Sequence, residues 1–199
     1  MIEVEIKVGI SNPNKLRKKI EQHDGFYKLS LYHEDTYFNL PNGLRNFKET
    51  DEALRVRKSI EFNINNEKLP KRFKAFITYK GKKIDSLTKT RKEIEVKINN
   101  FDKMIEILKI LGFQEVLTIR KQRELYEIKY KNQKLDALID FIPDLDRYFL
   151  EVEFLKENSE TIDNNHEILF EFLNMIGIEK NESIRESYLE LILNKVKKG

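Results

Sequence analysis

Residues 2–8 alternate without a break: Ile2, Val4, Ile6 and Val8 face one way, Glu3, Glu5 and Lys7 the other. Period-two alternation is the signature of a strand with one apolar face. The same pattern returns along the chain, and each time the polar face is almost pure charge. Arg55 and Arg57 flank Val56, and Lys121 and Arg123 flank Gln122. Arg91, Glu93, Glu95 and Lys97 alternate with Ile94, Val96 and Ile98. Asp136 and Asp140 lie on the face opposite Ala137 and Ile139, and Glu151 and Glu153 flank Val152. Further strands are expected at 29–40 and 73–80, for eight or nine strands in all, mostly antiparallel. A chain with this many short alternating segments is bound to bury one face of a sheet.

Four helices are expected between the strands. Asn12 can cap the first, with Pro13 at its opening position and an end near His23. Asn100 can cap the second, with Met104, Ile105, Leu108 and Leu111 at helical spacing and Gly112 as the stop. The third covers 163–176, before Gly177. Ser183 with Glu186 reads as a capping box for the last, to about Lys197. The chain also repeats itself: Glu3-Val4-Glu5-Ile6-Lys7 and Glu93-Ile94-Glu95-Val96-Lys97 each precede a helix, a Gly-Phe pair and another strand. Two such halves facing each other would close a barrel with pseudo-twofold character.

Composition sets outer bounds. At 199 residues, a single domain spanning 1–199 is expected. The 37 Lys and Arg against 34 Asp and Glu give a net charge of +3, too small to argue for binding duplex nucleic acid. There is no Cys, so thiolate metal sites and disulfides are excluded. No apolar run approaches a membrane span and the first residues do not resemble a signal peptide, so a cytoplasmic protein with no membrane partner is expected.

Segregated charge is the clue to chemistry. Glu3 with Glu5 and Glu151 with Glu153 are pairs of like charge on one face, as are Arg55 with Arg57 and Lys121 with Arg123. Like charges at neighbouring same-face positions repel unless something compensates them. Paired carboxylates suit a hard cation such as Mg²⁺ or Mn²⁺. Paired Arg and Lys suit phosphate oxygens, with Arg supplying a bidentate fork. Together the two sets describe a metal–polyphosphate site.

The motifs also carry a resemblance. Glu3-Val4-Glu5-Ile6-Lys7 is similar to the N-terminal ExExK signature of the CYTH superfamily, the triphosphate tunnel metalloenzymes. The likeness continues in order through LRVR (54–57), TYKG (78–81), RKEIEV (91–96), KQR (121–123), an Asp strand at 136–140 and LEVE (150–153). EDTYFNLP followed by TDEALRVRKS resembles the class IV adenylyl cyclase branch most. The chain has no Trp, whereas the thiamine-triphosphatase branch stacks its substrate on one. The resemblance implies an α+β fold: a closed antiparallel eight-stranded β-barrel, a tunnel, with helices packed on its outside. It implies that Glu3, Glu5, Asp140, Glu151 and Glu153 hold one or two Mg²⁺ or Mn²⁺ ions. It implies that Lys7, Arg55, Arg57, Lys80, Arg91, Lys121 and Arg123 bind the triphosphate, with Lys7, Arg57 and Lys80 catalytic. Glu93 and Glu95 share that wall and are expected to orient these bases or meet the nucleoside. Lys82, Lys83, Lys89 and the 44–50 loop are expected at the tunnel mouth. The implied activity is conversion of ATP to cyclic AMP and pyrophosphate. The alternatives are hydrolysis of inorganic or organic triphosphate, or noncatalytic binding of polyphosphate or RNA 5′ ends. A homodimer is implied as well.

This chain departs from the family pattern at one place. Asp140 is followed by FIPDLDRYFL, which lacks the usual Gly and runs one residue longer. Pro143 and Asp144 can still make the turn. Asp136, on the same face, is therefore a competitor for the role of metal ligand.

Overall fold

The computed structural model describes residues 2–66, 70–84, 91–156 and 165–198. In chain order the elements are β1 (Ile2–Ile10), α1 (Pro13–Gln22), β2 (Phe26–Asn39), β3 (Ala53–Phe62), β4 (Arg72–Lys83), β5 (Arg91–Ile98), α2 (Phe101–Ile110), β6 (Gln114–Tyr130), β7 (Gln133–Ile142), β8 (Arg147–Lys156), α3 (Asn165–Met175) and α4 (Tyr188–Lys198). The expected strands are all present. The one at 29–40 begins three residues earlier, at Phe26, and the one at 73–80 runs on to Lys83. Asn12 and Asn100 cap α1 and α2 as their sequences predict, each side chain accepting from a backbone N–H at 2.9 Å. Gly112, at φ 86, takes the left-handed conformation that stops α2.

All eight strands form one antiparallel sheet in the cyclic order β1-β5-β4-β3-β2-β6-β7-β8. Exchanging β1 with β5, β2 with β6, β3 with β7 and β4 with β8 maps this order onto itself. The repeat read from the sequence therefore has a counterpart in the topology. The ring is uneven, which corrects the expectation of a closed tunnel. β1 meets β5 only through Ile2↔Lys92 and Glu3↔Arg91, whereas β1 meets β8 along its whole length, from Ile2↔Lys156 to Ile10↔Tyr148. β5 runs on past the start of β1, so the sheet is a curled half-barrel along most of that side.

Three helices lie outside the sheet. α1 and α3 cover the outer face of β1, β6, β7 and β8, where Val4, Ile6, Ile139, Val152, Ile20, Leu169 and Phe172 form the main core. α2 covers the outer face of β2 and β3 through Leu108, Phe38 and Val56. The fourth departs from expectation. Tyr188 and Ile192 of α4 pack against Tyr37, Ile119, Ile142 and Phe149, which belong to the inward-facing set. α4 thus sits on the mouth of the curled sheet. Its capping box is Ser187 with Glu190, the serine hydroxyl accepting from Glu190 N at 3.2 Å and the carboxylate from Ser187 N at 2.6 Å. Ser183 is engaged elsewhere, in a β-bridge to Val8, while Ile184 N donates to Lys7 O at 2.7 Å. Extended backbone lying along β1 cannot begin a helix, so the box moves four residues on.

Candidate active site

The register decides which side chains meet. Residues directly opposite each other across an antiparallel ladder project to the same face. Glu5 stands opposite Glu153 and Lys7 opposite Glu151. Arg123 stands opposite Asp140, and Lys121 opposite His33. Arg57 stands opposite Asp35, and Lys80 opposite Glu93. All of these face the concave side, around a cavity of about 1190 Å³. Glu5, Arg55, Arg57, Lys80, Arg91, Glu93, Glu95, Lys121, Arg123, Glu151 and Glu153 line it. The charged faces predicted from alternation are therefore brought together on one chamber rather than spread into solvent.

Two ion-pair belts cross the chamber. In the first, Arg123 Nε and Nη2 donate to both oxygens of Asp140, each at 2.6 Å, and Nη2 also donates to Glu151. Lys121 Nζ reaches the same Asp140 oxygen at 3.4 Å, and Tyr188 Oη donates to it at 2.9 Å. In the second, Arg57 grips Asp35 through Nε at 2.6 Å and Nη2 at 2.7 Å. Arg55 adds a longer contact to Asp35 at 3.9 Å and donates to Glu95 at 3.3 Å. Lys80 pairs with Glu93 nearer the thin side of the ring. Burial alone would raise the Asp35 carboxyl, but the Arg57 and Arg55 guanidiniums outweigh it and hold Asp35 well below the usual range. Lys121 is lowered to about 8, by burial first and by Arg123 second, against the pull of Asp140.

Two predicted site residues are placed differently from the rest. Asp140, expected as a metal ligand, is fully buried and has its oxygens taken by Arg123, Lys121 and Tyr188. Its geometry suits an anchor for the basic pair. Lys7, also fully buried, lies beneath Tyr188, its ammonium 4.4 Å from the ring centroid, and donates to Glu186 O. It faces the concave side but is covered there by α4. Asp136, the competitor of Asp140, stands opposite Glu153 and has a buried oxygen without a hydrogen-bond partner among the described residues. Burial raises its carboxyl above the usual value.

The acid side fits a hard cation by donor type. Glu5 and Glu153 stand directly opposite, with Asp136 next across the sheet, a like-charge arrangement that a divalent ion would relieve. Among the described residues no three carboxylates or imidazoles converge closely enough to enclose an ion. Glu3 sits in register with Arg91, and its side chain lies outside the described residues, as does Lys89. Lys83 pairs with Asp51 at 2.7 Å and reaches Glu190 of α4 at 3.4 Å, two residues that line the chamber.

Sequence reasoning missed Tyr188 and assigned no role to His33. Tyr188 touches Asp140, Lys7 and, at 5.3 Å from its ring centroid, Lys121. No sequence signal marks it, because its role depends on α4 turning inward. His33 is buried in the basic wall, and its Nδ1 has no hydrogen-bond partner among the described residues. Burial, with Arg57 and Lys121 beside it, lowers its pKa well below the usual imidazole value.

Comparison with known proteins agrees with this architecture. A curated relative from Methanocaldococcus jannaschii, provisionally named an adenylate cyclase, is 43% identical over 192 residues, covering 96% of this chain and 98% of its own. The PH1819 protein from Pyrococcus horikoshii superposes with a TM-score of 0.81 at 38% identity, covering 97% of this chain and 99% of its own. A Hippeastrum protein, provisionally classed as an adenylyl cyclase and described as having a dominant triphosphatase activity, shares the fold with a TM-score of 0.61 at 17% identity, covering 97% of this chain and 96% of its own. The sequence matches the CYTH domain family over residues 1–188, and the chain belongs to that family.

Proposed function

We propose that this chain is a metal-dependent enzyme acting on a nucleoside triphosphate, an adenylyl cyclase of class IV type that converts ATP to cyclic AMP and pyrophosphate. The observation that carries the reading is the single chamber in which Arg55, Arg57, Lys121 and Arg123 face the opposed acids Glu5 and Glu153. A polyphosphate fits the first set and its companion cation the second. The name of the Methanocaldococcus jannaschii relative points the same way.

Arg57 and Arg123 are held by bidentate pairs to Asp35 and Asp140, so their guanidiniums are oriented before any ligand arrives. With Arg55, Lys121, Lys80 and Arg91 they would grip the three phosphates and neutralise charge that develops on the leaving pyrophosphate. Glu5, Glu153 and Glu151, with Glu3 by strand alternation and Asp136 beside them, would hold Mg²⁺ or Mn²⁺. The cation would supply Lewis-acid polarisation of the phosphate oxygens and a lowered pKa for the nucleophile. In the cyclase reaction the 3′-hydroxyl gives up its proton to solvent, its oxygen bonds to the α-phosphorus, the bond from that phosphorus to the α,β-bridging oxygen breaks, and pyrophosphate departs.

The second reading is hydrolysis of the terminal phosphate. The activity described for the Hippeastrum neighbour favours it, and the same charge inventory would serve it. Incubation with ATP, and separately with inorganic triphosphate, in Mg²⁺ or Mn²⁺, followed by chromatography, decides between them. Equal amounts of cyclic AMP and pyrophosphate are expected. ADP with orthophosphate would replace the cyclase reading by the hydrolase, and no turnover of either compound would sink both.

A further inference from the structure

We infer that a second, smaller cavity at the other end of the ring is a binding site for inorganic phosphate, as orthophosphate or pyrophosphate. The strands place it there. β2 gives Asp35, Tyr37 and Asn39 to the large chamber but Leu31 and His33 to the small cavity, and β3 gives Arg55 to the first and Ser59 to the second. α4 lines the large chamber and not the small cavity. Arg57, Glu95, Arg123 and Glu153 line both, and so form the partition between them. At about 230 Å³ the small cavity falls below the roughly 300–1,000 Å³ usual for small-molecule sites. It is too small for a nucleotide and large enough for a compact anion.

Three observations select an oxyanion. His33 lines the cavity, is 3% exposed, and its Nδ1 has no hydrogen-bond partner among the described residues. A buried ring nitrogen left unpaired is costly, and in its N–H tautomer an oxygen acceptor on a ligand satisfies it. Next, Arg57 spends Nε and Nη2 on Asp35, and Arg123 spends Nε and Nη2 on Asp140 and Glu151. The Nη1 of each makes no hydrogen bond among the described residues, and guanidinium N–H groups held in a fixed plane suit phosphate oxygens. Finally, most acids of the lining are answered from within the protein. Glu61 pairs with Lys74, and Glu95 accepts from Arg55 at 3.3 Å and from Thr78 at 2.8 Å. Glu153 stands opposite Glu5, on the side assigned to the cation. Asp136 has a carboxyl raised by burial, so it keeps a proton more readily and can donate to a phosphate oxygen. Leu31, Phe76, Leu125 and Leu138 supply apolar surface, which limits water and strengthens these hydrogen bonds. Either reaction proposed for the chamber releases such an anion, pyrophosphate by cyclisation or orthophosphate by hydrolysis. Only this source of the anion rests on the triphosphate reading; the site itself does not.

Calorimetry on the full chain tests the site through residues that line the small cavity and not the chamber. Orthophosphate, pyrophosphate and, with Mg²⁺, inorganic triphosphate are titrated separately into the wild type, His33→Leu, His33→Gln and Lys74→Glu. His33→Leu is expected to weaken orthophosphate or pyrophosphate by about tenfold, the loss of one buried hydrogen bond to a charged group. The anion that suffers this loss is the ligand. His33→Gln, which keeps a donor, should recover most of that affinity, a result that a merely structural role for the imidazole would not give. Lys74→Glu should weaken the same anion severalfold. The Lys74 side chain is 37% exposed, so this variant folds even if His33→Leu disturbs the sheet, and melting curves check both. Triphosphate binding in the chamber should stay within roughly twofold throughout. Failure of both small anions to bind, or affinities for both that ignore His33 and Lys74, would overturn the site, as would variants that weaken triphosphate equally. Small-anion binding that depends on His33, without any binding of triphosphate, would spare the site and remove the triphosphate reading instead.

Discussion

The two sides of the ring are built on opposite terms. The side formed by β6, β7, β8 and β1 is backed by α1 and α3, and its inward charges are buried: Glu151 is 4% exposed and Lys7 and Asp140 are at 0%. β5, on the other side, has Ile94 and Val96 half-exposed on its outer face, and its inward Glu95 side chain is 44% exposed. The sequences of β1 and β5 are nearly the same word, so the strand pattern does not account for this. What differs is the helix layer behind each strand and the length of ladder beside it. A backed wall excludes water, which strengthens every interaction among its charges and makes each loss expensive. An unbacked wall leaves its charges screened.

Removing one inward charge on each side tests that contrast most severely. Asp140→Ala leaves Arg123 and Lys121 buried beside an empty position and is expected to cost about 3–5 kcal/mol of unfolding free energy. Glu95→Ala removes the partner of Arg55 on the wet side and is expected to cost under about 1 kcal/mol. Urea denaturation of the two variants measures the difference, and equal costs would remove the distinction between the walls.

A smaller effect is expected from changing the shape of a charge without its sign. Arg57→Lys keeps the cation but loses the fork that grips Asp35. We expect turnover of the best triphosphate substrate to fall more than tenfold, about 1.4 kcal/mol of transition-state stabilisation. Lys18→Gln, on the exposed face of α1, should leave turnover and KM unchanged. Matching near-wild-type kinetics for both would mean that Arg57 does not act on substrate.

The smallest expected effect concerns pH. His33 faces Arg57, Lys121, Arg123 and Asp35, and its folded pKa lies well below its ordinary 6.5. A base depressed on folding binds its proton more readily in the unfolded chain, so stability rises with pH across this window. The contribution is complete above pH 6.5 and is lost as pH falls below 6.5 towards the depressed value. Asp35 works in the same direction at lower pH: its contribution is present above 3.8 and is lost as pH falls further. Melting temperature measured from pH 7.5 to 5.5 should fall by the equivalent of about 1 kcal/mol. His33→Leu should flatten that slope and leave the Asp35 limb intact. An unchanged slope would show that the imidazole is not held neutral.

Much of the site was legible because strand alternation fixes which side chains share a face. Arg55 with Arg57, Lys121 with Arg123 and Glu151 with Glu153 could be assigned to one wall each from spacing alone. The failures have a common cause. Ser183 with Glu186 and Ser187 with Glu190 are both acceptable capping boxes, and only docking of 183–184 on β1 selects the second. Asp136 and Asp140 share one face of β7. Which of them meets Glu153 and which is held by Arg123 follows from the registers of β6 and β8.

The sequence by itself determined the strands, their charged faces, the caps of α1 and α2 and the internal repeat, because these depend on neighbours a few residues away. Tertiary structure alone decided the short β1–β5 closure, the inward packing of α4 through Tyr188 and the locking of Asp140. Each of these joins residues far apart in the chain, and its energy comes from burial and pairing that exist only once the sheet has curled.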